Sequence, residues 1–455
     1  MNAHLLRLAP LLHLVAVASS AQEAHGPYAI GVNVQVSASQ SGIPHYETYV
    51  AADRKNAGHL IACAYVVRPD HRVDNVFYVS FDGGATWAHT LTVPDATDPS
   101  CAIGPGAAFA ESIHDLPDKN GTPVLSVYHS GDGGRTWQPS SIDVVAPPID
   151  RAYLTADDTD GVFKRNVYVH AYRYSRNPRP DVVFFPGTDE GAGFHGILLK
   201  APSTFEKPWF FPGNGVVDNE GTFFALLCEI DDTKRNMSYR TDEASAPPAA
   251  NAVLYVLASH DGGKTLDDPA GKIDGVYYDL RIPQLCLPAL AVDRSRGRFR
   301  GQLYAVWPDA RRDHHTRILF SSSRDHGHTW TPPAPIDDNA VAHSANTRAN
   351  NFMPAIAVNS RGVVGVSWYD RREATDNLGY RVRFSASLDG GQSWLPSAVV
   401  STAAHVDRGD SRKNSGDTAG LAADRDGVFH PVWIDNRTGL PQMWTATVRV
   451  RGRSR

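Results

Sequence analysis

The sequence predicts an all-β protein, a seven-bladed β-propeller, from two repeats and one orphan strand. The first repeat is an octamer, Ser-x-Asp-x-Gly-x-Thr/Ser-aromatic, present in five copies, one of which has Leu266 in place of the aromatic residue. The second repeat is a short strand of small apolar residues that recurs between the octamers. The orphan strand is residues 32–36, which alternate apolar and polar side chains before the first unit begins.

The spacing of the octamers indicates a regular array of units. Their Asp residues stand at positions 82, 132, 261, 325 and 389, so the last three copies are 64 residues apart. The gap between the second and third copies is 129 residues, which is about two such periods. We therefore expect a decayed copy near residues 187–192.

Each octamer is expected to form the turn of a β-hairpin. The Asp side chain can accept hydrogen bonds from backbone amides of its own turn. The Gly adopts the positive φ that other residues resist. The aromatic residue returns to the apolar side and anchors the turn, so these Asp residues are predicted to be structural and not catalytic.

The strands between the octamers bring the number of units to seven. Small side chains suit the crowded innermost strand of a radial array, and each unit has the four strands of a propeller blade. The copies begin near Tyr49, Cys101, Tyr153, Phe223, Pro288, Pro354 and Ala419. The last unit ends after residues 444–448 without an octamer or a fourth strand. Residues 32–36 are therefore predicted to complete the last blade and close the ring.

Composition and the N-terminal residues predict an exported protein. The chain has 455 residues, a net charge of −5 and a pI near 6.4, which argues against nucleic-acid binding. Residues 1–21 have the positive start, apolar stretch and small-residue end of a secretory signal. No later segment has the length and apolarity of a membrane span. We expect a secreted or periplasmic protein in which residues 22–455 form one propeller domain; the sequence identifies no protein partner.

The cysteines and histidines do not indicate a cofactor. The chain has four cysteines, Cys63, Cys101, Cys228 and Cys286. Export permits disulfides, and pairing the first with the second and the third with the fourth would join neighbouring blades. His326 and His328 could bind a metal ion, but they lie in an octamer turn, where a structural role is expected. We predict no metal site and no cofactor.

A candidate site lies where the second strand of a blade ends. Residues 307–312, 368–373 and 433–437 repeat a Trp-x-Asp-x-Arg cluster that would project onto the face opposite the octamers. The acid–base candidates near it are Asp309, Asp370, Glu373, Asp376 and Asp435, of which Asp435 could also bind substrate. The arginines that could bind substrate are Arg311, Arg371 and Arg437. The alternative, favoured for most of these residues, is Asp–Arg pairing that ties loop to loop and blade to blade.

The connections into the blades open on the same face and carry further candidates. Four arginines lie there, Arg151, Arg281, Arg348 and Arg412. The guanidinium fork binds carboxylates, so several arginines in one funnel would suit an acidic sugar. They could equally pair with Asp309, Asp370, Asp410 and Asp417, and the sequence leaves both possibilities open. Tyr278 and Tyr369 are candidate nucleophiles, because glycoside cleavage uses a carboxyl pair or a Tyr with an acidic partner.

The octamers are Asp-boxes, also called BNR repeats, and with them the chain resembles the sialidase-like propeller superfamily. The resemblance covers residues 28–450 and is nearest to secreted bacterial exo-α-sialidase-like proteins. It implies a secreted propeller that faces glycans, with an arginine triad and a nucleophilic Tyr. The chain departs from the family in three places: Cys286 stands where one triad arginine would align, residues 414–417 contain no Tyr, and seven blades replace six.

The leading functional hypothesis is an exo-acting glycoside hydrolase that removes terminal, acidic sugars from a glycan or oligosaccharide. In it, Asp370 or Asp309 is the general acid and a Tyr is the nucleophile. One alternative is a non-catalytic propeller that binds glycans or a protein; it predicts closed Asp–Arg salt bridges and no free carboxylate in the funnel. The other alternative is a polysaccharide lyase, for which His170 and Tyr172 are the suggestive pair.

Overall fold

The structure is a computed structural model of the whole chain. It describes residues 23–114, 125–142, 149–173, 181–188, 194, 197–199, 204–231, 233, 250–267, 271–277, 287–311, 315–339, 349–374, 379–406 and 416–452. The described strands form seven sheets arranged as a seven-bladed β-propeller, which confirms the predicted fold class. Six sheets consist of four consecutive antiparallel strands, and the seventh combines strands from both ends of the chain.

The first three blades follow a short N-terminal segment. That segment contains β1 (Glu23–His25), β2 (Tyr28–Ile30), β3 (Val34–Gln35) and a 3₁₀ helix (Ala38–Gln40). Blade 1 contains β4 (His45–Ala52), β5 (Leu60–Val67), β6 (Val73–Ser80) and β7 (Ala88–Val93). Blade 2 contains β8 (Thr97–Gly104), β9 (Ala107–Ile113), β10 (Leu125–Ser130) and β11 (Gln138–Pro139). Blade 3 contains β12 (Ile149–Ala156), β13 (Val167–Arg173), β14 (Asp181–Gly187) and β15 (Ile197–Leu199).

The remaining blades complete the ring. Blade 4 contains β16 (Pro208–Val217), β17 (Phe223–Asp231), β18 (Ala252–Ser259) and β19 (Gly271–Val276). Blade 5 contains β20 (Ala289–Val292), β21 (Leu303–Asp309), β22 (Arg317–Ser323) and β23 (Ala334–Pro335). Blade 6 contains β24 (Asn351–Val358), β25 (Val364–Asp370), β26 (Arg381–Ser387) and β27 (Ala398–Val399). Blade 7 contains β28 (Gly420–Ala423), β29 (Phe429–Asp435), β30 (Gln442–Thr445) and β31 (Val448–Val450).

The first strand of each blade contacts the first strand of the next, from β4 through to β28 and back to β4. These strands line an axial channel, as the small side chains of the second repeat predict. The one exception is blade 4, where the expected inner strand at Phe223 is wrong: β17 is the second strand, and β16 is the inner one. The small-residue pattern fails there because β16 carries Trp209 and Phe211 ahead of a bulge between Pro212 and Gly215.

The ring closes as the orphan strand predicts. β3 pairs with β30 through Val34 opposite Thr445 and Gln35 opposite Trp444, so it becomes the outer strand of blade 7. The buried Ser37 hydroxyl donates a hydrogen bond of 2.6 Å to the Gln442 side chain and fastens the same junction. β1 and β2 add a hairpin beside β31. Across the described ranges, no helix has the length and apolarity needed to cross a membrane.

The octamers close their turns through the Asp side chain. In blade 2, Ser130 donates to Asp132 at 2.7 Å, and the Thr136 amide and hydroxyl donate to the same carboxylate at 2.9 and 2.7 Å. The turns lie at the opposite end of the blades from the Trp-x-Asp-x-Arg clusters. In blade 5, Ser323 pairs with Leu303 at one end of the hairpin, and Asp309 pairs with Arg317 at the other. The face away from the octamers is therefore the one that carries the candidate site.

Candidate functional site

The inner strands of four blades carry the same distortion where they enter the funnel, which is the mouth of the axial channel on the face opposite the octamers. Each has a β-bulge near its start. One residue of each bulge has a left-handed backbone: Glu47 (φ 51°), Asp98 (φ 51°), Arg151 (φ 53°) and Met353 (φ 56°). This conformation is strained for residues other than Gly, and such strain is concentrated at functional sites. Three of the four residues are charged.

Glu47, Asp98 and Asp150 form a hydrogen-bonded series of carboxyl groups at the junction of blades 1, 2 and 3. Glu47 bonds to Asp98, and Asp98 bonds to Asp150. Burial raises the pKa of Glu47 well above its usual range, and the charges of Asp98 and Asp417 raise it further. Burial also raises the pKa of Asp98 to about 7, with the charge of Asp150 adding to the effect. Adjacent carboxyls cannot all ionise, so this series holds a proton near neutral pH.

Arg151 is the cation of the cluster. Its backbone amide donates to Asp98 Oδ2 at 3.1 Å, and its guanidinium donates to Asp417, which precedes the inner strand of blade 7. Burial lowers the pKa of Arg151, but the carboxylates of Asp417 and Asp150 raise it well above its usual range. The guanidinium also lies 5.1 Å from the ring centre of Phe211. Arg151 therefore stays charged and orients the carboxyl groups on both sides of it.

A second buried carboxyl group lies behind Asp98. Glu111 in β9 is completely buried, and neither of its carboxyl oxygens has a hydrogen-bond partner among the described residues. Burial raises the pKa of Glu111 well above its usual range, and the charge of Asp98 adds to this. Burial therefore favours the neutral form of Glu111. The neighbouring Cys63 and Cys101 lie in contact, as the sequence suggested, but as free thiols; Cys286 lies outside the described residues.

Aromatic rings and a glycine shape the space beside the acid groups. Tyr49 and Tyr153 lie edge to face with ring centres 6.1 Å apart. They line a small pocket that Glu47 and Asp98 also border, and an adjoining pocket in the funnel. Gly416 packs so closely that a Cβ would lie 2.4 Å from Glu47 Cγ. The funnel therefore has aromatic walls next to the acid groups.

The Trp-x-Asp-x-Arg clusters form three closed clamps. In each, the indole N–H donates a hydrogen bond to the Asp carboxylate. The backbone amide and the guanidinium of the Arg two residues later also donate to that carboxylate. The carboxylates are Asp309, Asp370 and Asp435, each 1% exposed. Their arginines are Arg311, Arg372 and Arg437. This geometry favours the alternative of structural pairing, because every carboxylate is surrounded by donors, and Asp309 also accepts the Tyr277 amide that follows the last strand of blade 4.

The other described candidates lie away from the acid cluster. Tyr369 is buried against Tyr380, and its hydroxyl accepts a hydrogen bond from the Ile434 amide at 3.1 Å. Glu373 forms ion pairs with two arginines of β26 and is 46% exposed. The Arg371 guanidinium lies 4.6 Å from the ring centre of Phe352 at the start of β24. The structure brings none of these three into contact with Asp98.

Several candidates lie outside the described residues: Arg281, Arg348, Arg412, Tyr278, Asp376 and Asp410. The residues that the sequence interpretation missed are Glu47, Asp98 and Asp150, and Asp417 had entered it only as a partner for arginine. Glu47, Asp98 and Arg151 stand two residues before Tyr49, Ser100 and Tyr153, with which the regular part of each inner strand begins. An alignment of the repeat units would place these charged residues at one position. Single motifs do not reveal them, because each blade carries a different residue there.

Comparison with solved structures finds similar propellers. A Dyadobacter fermentans protein of unknown function is 14% identical over 93% of this chain and 100% of its own, with a TM-score of 0.47. Trypanosoma rangeli sialidase is 12% identical over 89% of this chain and 54% of its own, with a TM-score of 0.46. Penicillium chrysogenum α-L-arabinanase is 13% identical over 78% and 93%, with a TM-score of 0.43. The likeness concerns the fold alone. No family model and no curated protein sequence matches the chain.

Proposed function

We propose that this protein is an exported glycoside hydrolase that acts on the terminal residues of glycans, with Asp98 and Glu47 as its acid–base pair. The observation that supports this most directly is the hydrogen-bonded pair of carboxyls, one with a pKa of about 7, at the border of a cavity. Glycoside hydrolases need one protonated and one ionised carboxyl group that flank the scissile bond about 5–9.5 Å apart, so the substrate must separate this pair as it enters. A pair that shares a proton near neutral pH supplies both states.

The chemistry assigned to the pair is ordinary acid-catalysed transfer. Protonated Glu47 gives its proton to the glycosidic oxygen as the bond to the anomeric carbon breaks. Asp98, the member of the pair that ionises near neutral pH, takes a proton from the attacking water, so that the two carboxyls exchange protonation states over one turnover. Arg151 holds Asp98 in place through its amide and stabilises the ionised member by charge. Tyr49 and Tyr153 contact the faces of the sugar ring.

The charge of the funnel bears on the choice of sugar. In the described part of the chain, Glu47, Asp98, Asp150 and Asp417 face one guanidinium, that of Arg151. This balance favours a neutral sugar at the acid pair over one that brings its own carboxylate. The acidic-sugar form of the proposal depends on arginines outside the described residues, Arg281, Arg348 and Arg412.

A panel of aryl glycosides tests the proposal. It contains sialosides and glucuronides as acidic members, and arabinofuranosides, galactosides and glucosides as neutral members. We expect release of the aryl group from at least one member, and loss of at least about 100-fold of that rate in Asp98→Asn. Asp95→Asn is the matched control, because Asp95 is exposed and pairs with Arg72 at the rim. Absence of turnover from the whole panel by a folded protein contradicts the proposal.

The binding-module alternative receives partial support from one observation. The three Trp-x-Asp-x-Arg clamps are closed salt bridges, as that alternative predicts. Its second requirement, a funnel without unpaired carboxyl groups, fits less well, because the side-chain hydrogen bond of Glu47 is with another carboxyl group. Glycan-array binding by both wild type and Asp98→Asn, without hydrolysis by either, would favour the binding module.

A further inference from the structure

The opposite face of the propeller carries a second cluster of ligand groups, at the junction of blades 4 and 5. Asp218 and Glu220 lie in the turn between β16 and β17, and His326 lies in the octamer turn of blade 5. One ligand atom from each of these residues lies within 4.8 Å of the other two. The cluster is independent of the funnel, which opens on the other face.

His326 occupies the fourth position of its octamer, where the other four copies in this chain have glycine. The same octamer position is Gly83, Gly133, Gly262 and Gly390 in the other copies, with φ between 71° and 76°. His326 adopts φ 56° at this point, so it accepts backbone strain that the other four turns avoid. A left-handed residue other than Gly is uncommon, and this directs attention to the contacts of the His326 imidazole. The ring stacks on Phe224, with centres 6.3 Å apart, and this holds it toward blade 4.

Asp218 supplies a buried oxygen that its own turn does not use. Asp218 is 1% exposed, and its Oδ1 accepts the amides of Glu220 and Thr222 at 2.8 and 3.0 Å. Its Oδ2 lies 3.5 Å from His326 Nδ1, and neither atom has a hydrogen-bond partner within the described residues. That distance is long for a hydrogen bond. It is close to the roughly 3.3 Å that separates two ligands on one tetrahedral zinc ion with bonds of about 2.0–2.1 Å.

Blade 1 shows what a purely structural contact looks like at the corresponding place. There His59 lies immediately before the second strand of its own blade. One ring nitrogen lies 3.2 Å from Asp53, and the other bonds to the Gly133 carbonyl at 2.9 Å. The position that corresponds to Glu220 is Lys55. Both ring nitrogens of His59 are used and no second carboxylate is present in that turn. Blade 4 instead has Phe224 at the His position, an added carboxylate, and a His supplied by the next blade.

We propose that Asp218 Oδ2, the Glu220 carboxylate and His326 Nδ1 bind a divalent transition-metal ion of the zinc class, with water completing the coordination. One imidazole and two carboxylates suit Zn²⁺, whereas Ca²⁺ and Mg²⁺ prefer oxygen ligands alone. The ion would fasten the turn of blade 4 to the octamer of blade 5, and so would add stability to the ring rather than take part in the chemistry of the funnel.

The test uses the mature protein, stripped with a chelator and titrated with Zn²⁺ by calorimetry and by thermal unfolding. We expect one Zn²⁺ per chain and a raised Tm, with at least about tenfold weaker binding in Glu220→Gln. His326→Gly restores the usual octamer residue, so it should fold at least as well as wild type without metal and lose the Zn²⁺ response. His328→Gln, an exposed His in the same turn, should keep it. Equal Zn²⁺ binding by wild type and His326→Gly, or no binding by wild type, overturns the proposal.

Discussion

The guanidinium of Arg151 donates a hydrogen bond to the carboxylate of Asp417, 266 residues away in sequence, and so joins blade 3 to blade 7 across the funnel. Asp417 is also one of the charges that raise the pKa of Glu47. Asp417→Asn removes that charge and leaves Arg151 free to stabilise the ionised forms of Glu47 and Asp98. We expect the limb of the pH–rate profile that reports loss of the acid to move to lower pH. An unchanged profile would show that the Arg151–Asp417 pair does not act on the acids.

Asp98 should make stability depend on pH. Its folded-state pKa of about 7 lies above the value of about 3.9 expected in the unfolded chain. The native state therefore holds a proton that the unfolded state has released, and Asp98 stabilises the fold less as the pH rises from about 4 to about 7. Asp98→Asn lacks this titration, so its Tm should fall less than that of wild type between pH 5 and pH 8. Parallel Tm curves for the two proteins would contradict the raised pKa.

The carboxylates of the three clamps, Asp309, Asp370 and Asp435, should stabilise the fold. Asp370→Asn removes the buried charge opposite Arg372 and weakens the bonds to its guanidinium, which we expect to cost roughly 2–5 kcal/mol of unfolding free energy. Urea unfolding measures this. The activity per folded molecule should stay within about threefold of wild type. A large loss of activity with unchanged stability would instead return Asp370 to the role of general acid.

Replacing Gly416 should impair hydrolysis because a side chain there would displace Glu47, and this effect can be separated from the strain of its left-handed backbone. Gly416→Ala places a Cβ 2.4 Å from Glu47 Cγ at φ 94°, so it must displace Glu47. Gly439→Ala meets the same left-handed strain at φ 103° but open space. We expect Gly439→Ala to lose about 1–2 kcal/mol of stability from the backbone strain, and Gly416→Ala to lose more than that and to lose hydrolysis. Equal activity in the two would mean that the position of Glu47 is not critical.

β3, the strand that closes the ring, should protect the outer edge of β30 from pairing with other chains. A chain that begins at residue 37 lacks β1 to β3 and leaves the outer edge of β30 without its partner. Arg437 also loses its bond to Asn33. Exposed strand edges pair with other chains, so we expect a lower Tm and association on size-exclusion chromatography relative to residues 22–455. An unchanged elution volume and Tm would show that β3 is dispensable.

The ring could be predicted from the sequence because its signals are local and repeated. The octamer turns depend on contacts within eight residues, and the closing strand follows from a blade with a strand missing. The acid cluster depends on contacts between blades: Glu47, Asp98 and Asp417 come from blades 1, 2 and 7. The Trp-x-Asp-x-Arg repeat was a candidate site because it recurs in three blades, but it recurs because each copy forms a structural clamp. A residue that serves one site occurs once, so a search for repeats does not detect it.

The most direct test of the central claim is the ratio of kcat/KM between wild type and Asp98→Asn, measured at pH 6 on the glycoside that the panel identifies, with Tm measured on the same samples. The acid–base assignment predicts a fall of at least about 100-fold with a Tm equal to or above that of wild type. A ratio near one in a folded variant would contradict it and would place the chemistry elsewhere in the funnel.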